Sequence, residues 1–128
     1  MLSKMNILLV DDEIVLTDVL SAYFYGKNNV YILNNPIEAY YYYRENQNFD
    51  VVITDFIMPG MNGDEFIEKI FEINPLQQII LLSGILTEKI ESLIHKHNDR
   101  ILFIKKPFDL ADFDRVIDLV KVRVEGVN

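Results

Sequence analysis

The chain contains no cysteine, which removes both a disulfide framework and any thiolate metal site. Positive charge is scarce as well: 12 Lys and Arg stand against 20 Asp and Glu, for a net charge of −8. Nucleic-acid affinity rests on Lys and Arg displacing counterions from phosphate, so no direct nucleic-acid binding is expected. Long apolar runs are absent. The first, Ile7-Leu8-Leu9-Val10, is cut short by two acids, too early for a signal-peptide core or a membrane span. The expectation is a cytoplasmic protein without a membrane partner. No linker, repeat or low-complexity stretch interrupts the 128 residues, so residues 1–128 are expected to form a single domain.

What is present is a normal globular mixture, half apolar and a quarter charged. Four apolar runs each stop at a residue capable of chemistry. Ile7–Val10 stops at Asp11-Asp12, Val51–Thr54 at Asp55, Ile79–Leu82 at Ser83, and Ile101–Ile104 at Lys105-Lys106-Pro107. Apolar runs of strand length alternate with amphipathic stretches of helix length, a pattern that predicts βα units around a parallel sheet with helices on both faces. Strands are predicted near residues 6–10, 30–34, 50–54, 78–83 and 101–105, and helices near 14–26, 36–46, 64–74, 87–97 and from Asp109 onward.

The first helix is expected to bury Val15, Leu16, Val19, Leu20 and Tyr23, with Gly26 just past its end. The second starts at Pro36 and turns Ala39, Tyr40 and Tyr43 inward, leaving Tyr41 outside. The third buries Phe66, Ile67, Ile70 and Phe71, and Pro75 closes it. The fourth faces inward with Ile90, Leu93 and Ile94, with Thr87 as its cap. The last buries Leu110, Phe113, Ile117 and Val120, with an Asp109/Asp112 capping box at its start. Leu119 and Val122 fall away from that stripe and read as either ordinary exposure or part of a partner face.

In an open parallel sheet the carboxyl ends of the strands lie along one edge, so the four chemical termini converge on one crevice. Two unit charges about 4 Å apart interact by roughly 4 kcal/mol at an effective dielectric near 20, so three clustered carboxylates need cations. Asp11, Asp12 and Asp55 bring three negative charges and Lys106 one positive, leaving two for a divalent ion. An all-oxygen site of this kind points to Mg²⁺. Beside a metal and an ammonium, a carboxylate stays ionised and can attack phosphorus. Ser83 adds a hydroxyl donor for an oxygen of the transferred group. Taken singly, Asp11-Asp12 could instead cap the first helix, Asp55 could be a turn acid, and Lys106 a solvated charge. His95 and His97 lie two apart on a helix and share no face, which argues against a metal pair or a phosphorylated histidine.

The set Asp11-Asp12, Asp55-Phe-Ile-Met-Pro-Gly-Met-Asn-Gly, Ser83-Gly84 and Lys106-Pro107-Phe108 resembles the motifs of bacterial response-regulator receiver domains, over nearly the whole chain. The resemblance implies a flavodoxin-like (βα)5 fold with strand order 2-1-3-4-5. It also implies a phosphoacceptor switch of a two-component system or phosphorelay, in which Asp55 receives a phosphoryl group from a phosphohistidine. Asp12 and Asp55 would bind Mg²⁺ directly, Asp11 mainly through water, and the Ile57 backbone carbonyl would be a further ligand. Lys106 would pair with the phosphoryl group across a cis Lys106–Pro107 bond. Ser83 and Phe103 occupy the switch positions, and Phe103 lacks the hydroxyl that a tyrosine would offer. The implied partners are a histidine kinase or phosphotransfer protein and a downstream protein or effector domain. The chain itself would be a monomer or a weak, phosphorylation-dependent dimer. It would not be an enzyme in the usual sense, although it would catalyse its own phosphorylation and dephosphorylation.

Ile57 and Ile85, two residues after Asp55 and Ser83, are apolar and cannot orient an attacking water, which predicts a long-lived phosphoaspartate. The alternative function is a Mg²⁺-dependent phosphatase with an aspartyl nucleophile, which would need an acid or base where Ile57 stands. A dinucleotide- or flavin-binding module is disfavoured, because two acids occupy the loop where a phosphate would need glycines.

Overall fold

In the computed structural model the described residues are 4–126, so the first three and last two residues of the expected domain lie outside them. Five strands alternate with five helices: β1 (Asn6–Val10), α1 (Ile14–Phe24), β2 (Asn29–Leu33), α2 (Pro36–Glu45), β3 (Val51–Asp55), α3 (Gly63–Ile73), β4 (Gln78–Ser83), α4 (Glu88–Lys96), β5 (Ile101–Lys105) and α5 (Leu110–Glu125). All neighbouring strands pair in parallel, in the order β2-β1-β3-β4-β5. The α/β class and helices on both faces are as the apolar pattern predicts, and the strand order is the one the motif resemblance implies.

Successive residues of a strand point to opposite faces, so each central strand feeds two cores. Leu8, Val52, Ile79 and Leu81 pack under α2, α3 and α4 with Tyr43, Phe66 and Ile70. Ile7, Leu9, Ile53, Ile80 and Leu82 pack on the other face with Leu20, Phe24, Phe113 and Ile117 of α1 and α5. β1, β3 and β4 are buried almost throughout, which is why they read as continuous apolar runs rather than alternating ones.

The helix ends follow the expected chemistry in most places. Pro36 opens α2, and the Asn35 side chain accepts from the Ile37 and Glu38 amides. Thr87 Oγ1 accepts from the Ile90 amide at 3.2 Å, and Asp112 accepts from the Asp109 amide at 3.0 Å as in a capping box. The inward faces of α2, α3, α4 and α5 match the predicted stripes, with Val116 as an additional buried residue of α5.

α1 differs. Val15 and Val19 are 78% and 45% exposed, and the buried line runs through Thr17, Leu20 and Phe24 instead. A polar residue can hold the inward place because its hydroxyl is satisfied there: Thr17 Oγ1 donates to the Ile14 carbonyl at 3.0 Å and accepts from Asn34 Nδ2 at 3.2 Å. With Thr17 facing the sheet, the helix is rotated away from the purely apolar stripe. α1 also ends at Phe24, earlier than predicted, with Gly26 at a positive φ of 81° carrying the chain out.

Candidate functional site

The strand registers build the site. Val10 pairs with Thr54, Asp55 with Leu82, and Ser83 with Lys105, so the residues at and just past these positions form one row along the carboxyl edge. The order of the sheet reverses between β1 and β3, the place where the connections diverge to opposite faces and leave a crevice. Asp11 and Asp12 follow β1, Asp55 ends β3, and one carboxylate oxygen from each lies within 4.8 Å of the others.

Asp11 is fully buried. Its Oδ1 accepts from the Glu13 amide at 2.9 Å, and its Oδ2 has no hydrogen-bond partner. The helix-cap alternative for Asp11-Asp12 is not the arrangement found. Glu13 is the N-cap residue of α1, with no side-chain bond to the first turn, and the two aspartates face the crevice with each other and Asp55. Burial raises the Asp11 carboxyl from 3.8 to about 6, with the nearby Asp55 charge adding to the rise. Asp55 is raised by burial too, against the opposing pull of Lys106 and of the Phe56 amide, which donates to Asp55 Oδ1 at 2.9 Å.

Lys106 reaches into this cluster from the turn after β5, through a cis Lys106–Pro107 bond. Its Nζ lies 3.2 Å from Asp55 Oδ1, 3.2 Å from Glu13 Oε1 and 3.7 Å from Asp11 Oδ2. Burial alone would lower the ammonium, but the Asp55 and Asp11 charges outweigh it and the group is raised, so it stays protonated. Lys106 therefore meets the acids as expected, and the adjacent exposed Lys105 is the last residue of β5. The sequence reading missed Glu13, although it continues the same acidic run.

A buried, unpartnered carboxylate oxygen is costly. Three carboxylate oxygens converging beside one ammonium are what a divalent, oxygen-preferring cation requires. The chemistry of this donor set fits such an ion, which the carboxylates of Asp11, Asp12 and Asp55 could hold directly or through water.

The remaining site residues occupy the loops around the crevice. Ser83 is buried, and its hydroxyl is taken up within its own turn: it donates to the Ile85 carbonyl at 2.9 Å and accepts from the Ile85 amide at 3.3 Å. Ile57 and Ile85 are 66% and 59% exposed. Phe103 is half-buried against the core on the α3 and α4 side. Gly63, the last residue of the motif that begins at Asp55, is a point of close backbone approach. A Cβ there would come within 2.7 Å of the Asp55 carbonyl oxygen and 2.8 Å of Phe56 Cα, so α3 begins against the backbone that carries Asp55. The Gly63 amide donates to the Phe56 carbonyl at 2.6 Å and ties that approach. His97 stacks on Phe71 with ring centres 4.2 Å apart and bonds Glu68 at 2.6 Å.

Residues 7–118 match the response regulator receiver domain family. A protein of Pyropia yezoensis described as a probable transcriptional regulator is 34% identical over 125 residues, which cover 88% of this chain and 51% of that protein. A protein-glutamate methylesterase/protein-glutamine glutaminase of Caulobacter vibrioides is 30% identical over 83 residues, covering 62% of this chain and 24% of that one. The chain spans about half or less of the length of these curated relatives. A response regulator receiver domain protein from Methanospirillum hungatei superposes with a TM-score of 0.85 at 24% identity, covering 98% of this chain and all of that one. A response regulator receiver domain protein from Clostridium thermocellum superposes at 0.81 with 25% identity, covering 97% and 99%.

Proposed function

This chain belongs to the response regulator receiver domain family of two-component systems, with an acidic pocket that fits a phosphoacceptor site, and on that premise we propose that Asp55 is the acceptor. The observation that carries the assignment is the Lys106 ammonium 3.2 Å from Asp55 Oδ1, within a cluster of carboxylates suited to Mg²⁺. In the transfer, an Asp55 oxygen forms a bond to phosphorus while the phosphorus–nitrogen bond of a phosphohistidine donor breaks and its electron pair stays on the imidazole. Lys106 supplies the positive charge that faces the phosphoryl oxygens. Mg²⁺ held by Asp12 and Asp55, with Asp11 through water and the Ile57 carbonyl as a further ligand, would offset the remaining negative charge. Ser83 must exchange its bonds within the turn for one to a phosphoryl oxygen, and that exchange, with Phe103 beside it, would remodel the surface around α4, β5 and α5 that a downstream protein or effector domain meets. The phosphatase alternative lacks support: the residue two after Asp55 is an exposed isoleucine with no proton to give.

The test is incubation with acetyl phosphate and Mg²⁺, read by intact mass. One added phosphoryl group is expected, lost on hydroxylamine treatment and absent when EDTA replaces the metal. An unchanged mass in Mg²⁺ overturns the proposal.

Ile57 and Ile85 also set the expected lifetime of the product. Neither side chain can hold or orient a water molecule for attack on phosphorus, and both stand exposed over the loops that flank it. The phosphoaspartate is expected to be comparatively long-lived, and Ile57→Asn, which offers an amide to position water, to hydrolyse faster. Following loss of the phosphoryl mass after donor removal measures both. A lifetime of seconds that Ile57→Asn leaves unchanged contradicts this assignment.

A further inference from the structure

One acid beside the pocket has no part in this transfer scheme. Glu13 occupies the N-cap of α1, where a side-chain oxygen ordinarily accepts an N–H of the first turn, yet its carboxylate makes no such bond. It turns instead to the end of β5 and accepts from Lys106 Nζ at 3.2 Å, the same separation as that between Lys106 and Asp55 Oδ1. One ammonium with three hydrogens is therefore shared among Glu13, Asp55 and, at 3.7 Å, Asp11. Asp11 and Asp55 are fixed in place by burial. The Glu13 side chain is 62% exposed, so it is the member of the three free to let go.

We propose that Glu13 is a positioning residue that parks the Lys106 ammonium while Asp55 is unmodified, and so restrains phosphoryl uptake. The inference rests on the reading of Asp55 as acceptor and Lys106 as the partner of the phosphoryl group. An arriving phosphoryl group needs the Lys106 hydrogens that Glu13 holds, and its negative charge is repelled by the Glu13 carboxylate as well. Both effects disappear when that carboxylate is removed. An exposed, solvent-screened ion pair sets the scale, and the expected change is about two- to fivefold in rate.

The test compares the parent protein with Glu13→Gln and Glu13→Ala in excess Mg²⁺ at sub-saturating acetyl phosphate, with uptake read by intact mass. In this reaction an Asp55 oxygen bonds to phosphorus as the bond from phosphorus to the acetyl oxygen breaks, and acetate leaves with the electron pair. Both variants are expected to take up phosphoryl about two- to fivefold faster, and added NaCl to narrow the gap by screening the parked pair. In magnesium-free protein, nitrogen NMR of the Lys106 side chain is expected to show faster exchange of its ammonium hydrogens with water in both variants. Unchanged or slower uptake with an unchanged Lys106 signal overturns the inference. No uptake by the parent protein overturns the Asp55 reading instead, and this inference with it.

Discussion

Asp55→Asn is expected to fold as the parent does and to take up no phosphoryl group from acetyl phosphate in Mg²⁺. The substitution changes little in shape, so the β3 end, the Phe56 amide bond and the approach of Gly63 should persist. What disappears is the proposed nucleophile. A carboxylate oxygen carries the electron pair that attacks phosphorus, whereas an amide oxygen is neutral and a poor acceptor. The variant also loses the charge that draws the Lys106 ammonium to 3.2 Å, so the cation that faces the phosphoryl group loses one anchor. Folding should not suffer, because burial raises the Asp55 carboxyl and its ionised form is the costly one. Intact mass for uptake and thermal unfolding for stability separate the two effects. A phosphoryl adduct on a folded Asp55→Asn protein would move the acceptor to a neighbouring carboxylate, Asp11 or Asp12.

The sheet was legible because β1, β3 and β4 are covered on both faces, and double burial demands unbroken Ile, Val and Leu. The order of its strands came from the resemblance of the motifs to receiver domains, since burial alone does not say which strand lies beside which. The site was legible for a related reason. Each chemical residue directly ends or follows a buried run, so the strand ends themselves marked Asp11, Asp55, Ser83 and Lys106. α1 was misread in its facing because an apolar stripe predicts the buried side only when every buried position is apolar. Thr17 breaks that rule by satisfying its hydroxyl on Ile14 and Asn34, and the pairing with Asn34 crosses from α1 to the end of β2, a separation no periodicity reports. Glu13 was overlooked because its chemistry depends on a lysine 93 residues away. Gly63 gave no packing signal in the sequence, because the need for a missing side chain there comes from the closeness of the Asp55 and Phe56 backbone.

Asp11→Asn is expected to stabilise the magnesium-free protein near neutral pH and to weaken its response to Mg²⁺. Asp11 is fully buried with Oδ2 unpartnered, and its carboxyl is raised from 3.8 to about 6. Between those values the folded protein keeps a proton that the unfolded chain has released, so stability falls as pH rises through that interval. The penalty is absent below about pH 4 and complete above about pH 6. A difference of about two pH units sets a ceiling of about 3 kcal/mol, which screening by water and Lys106 reduces, and the raised Asp55 carboxyl adds a fall of the same sign. Asparagine carries no charge to desolvate, so in EDTA near pH 7.5 the variant should melt several degrees above the parent, with the gap closing as the pH is lowered towards 4. An ion that binds only the folded form stabilises it by mass action, and Mg²⁺ is the ion proposed for this cluster. Titrating the ion should raise the melting temperature of the parent strongly and that of the variant much less, because one carboxylate of the cluster is gone. Equal Mg²⁺ responses in the two proteins would remove Asp11 from the ion site, and equal melting temperatures in EDTA would mean that its buried charge is compensated by contacts other than those with Glu13 and Lys106.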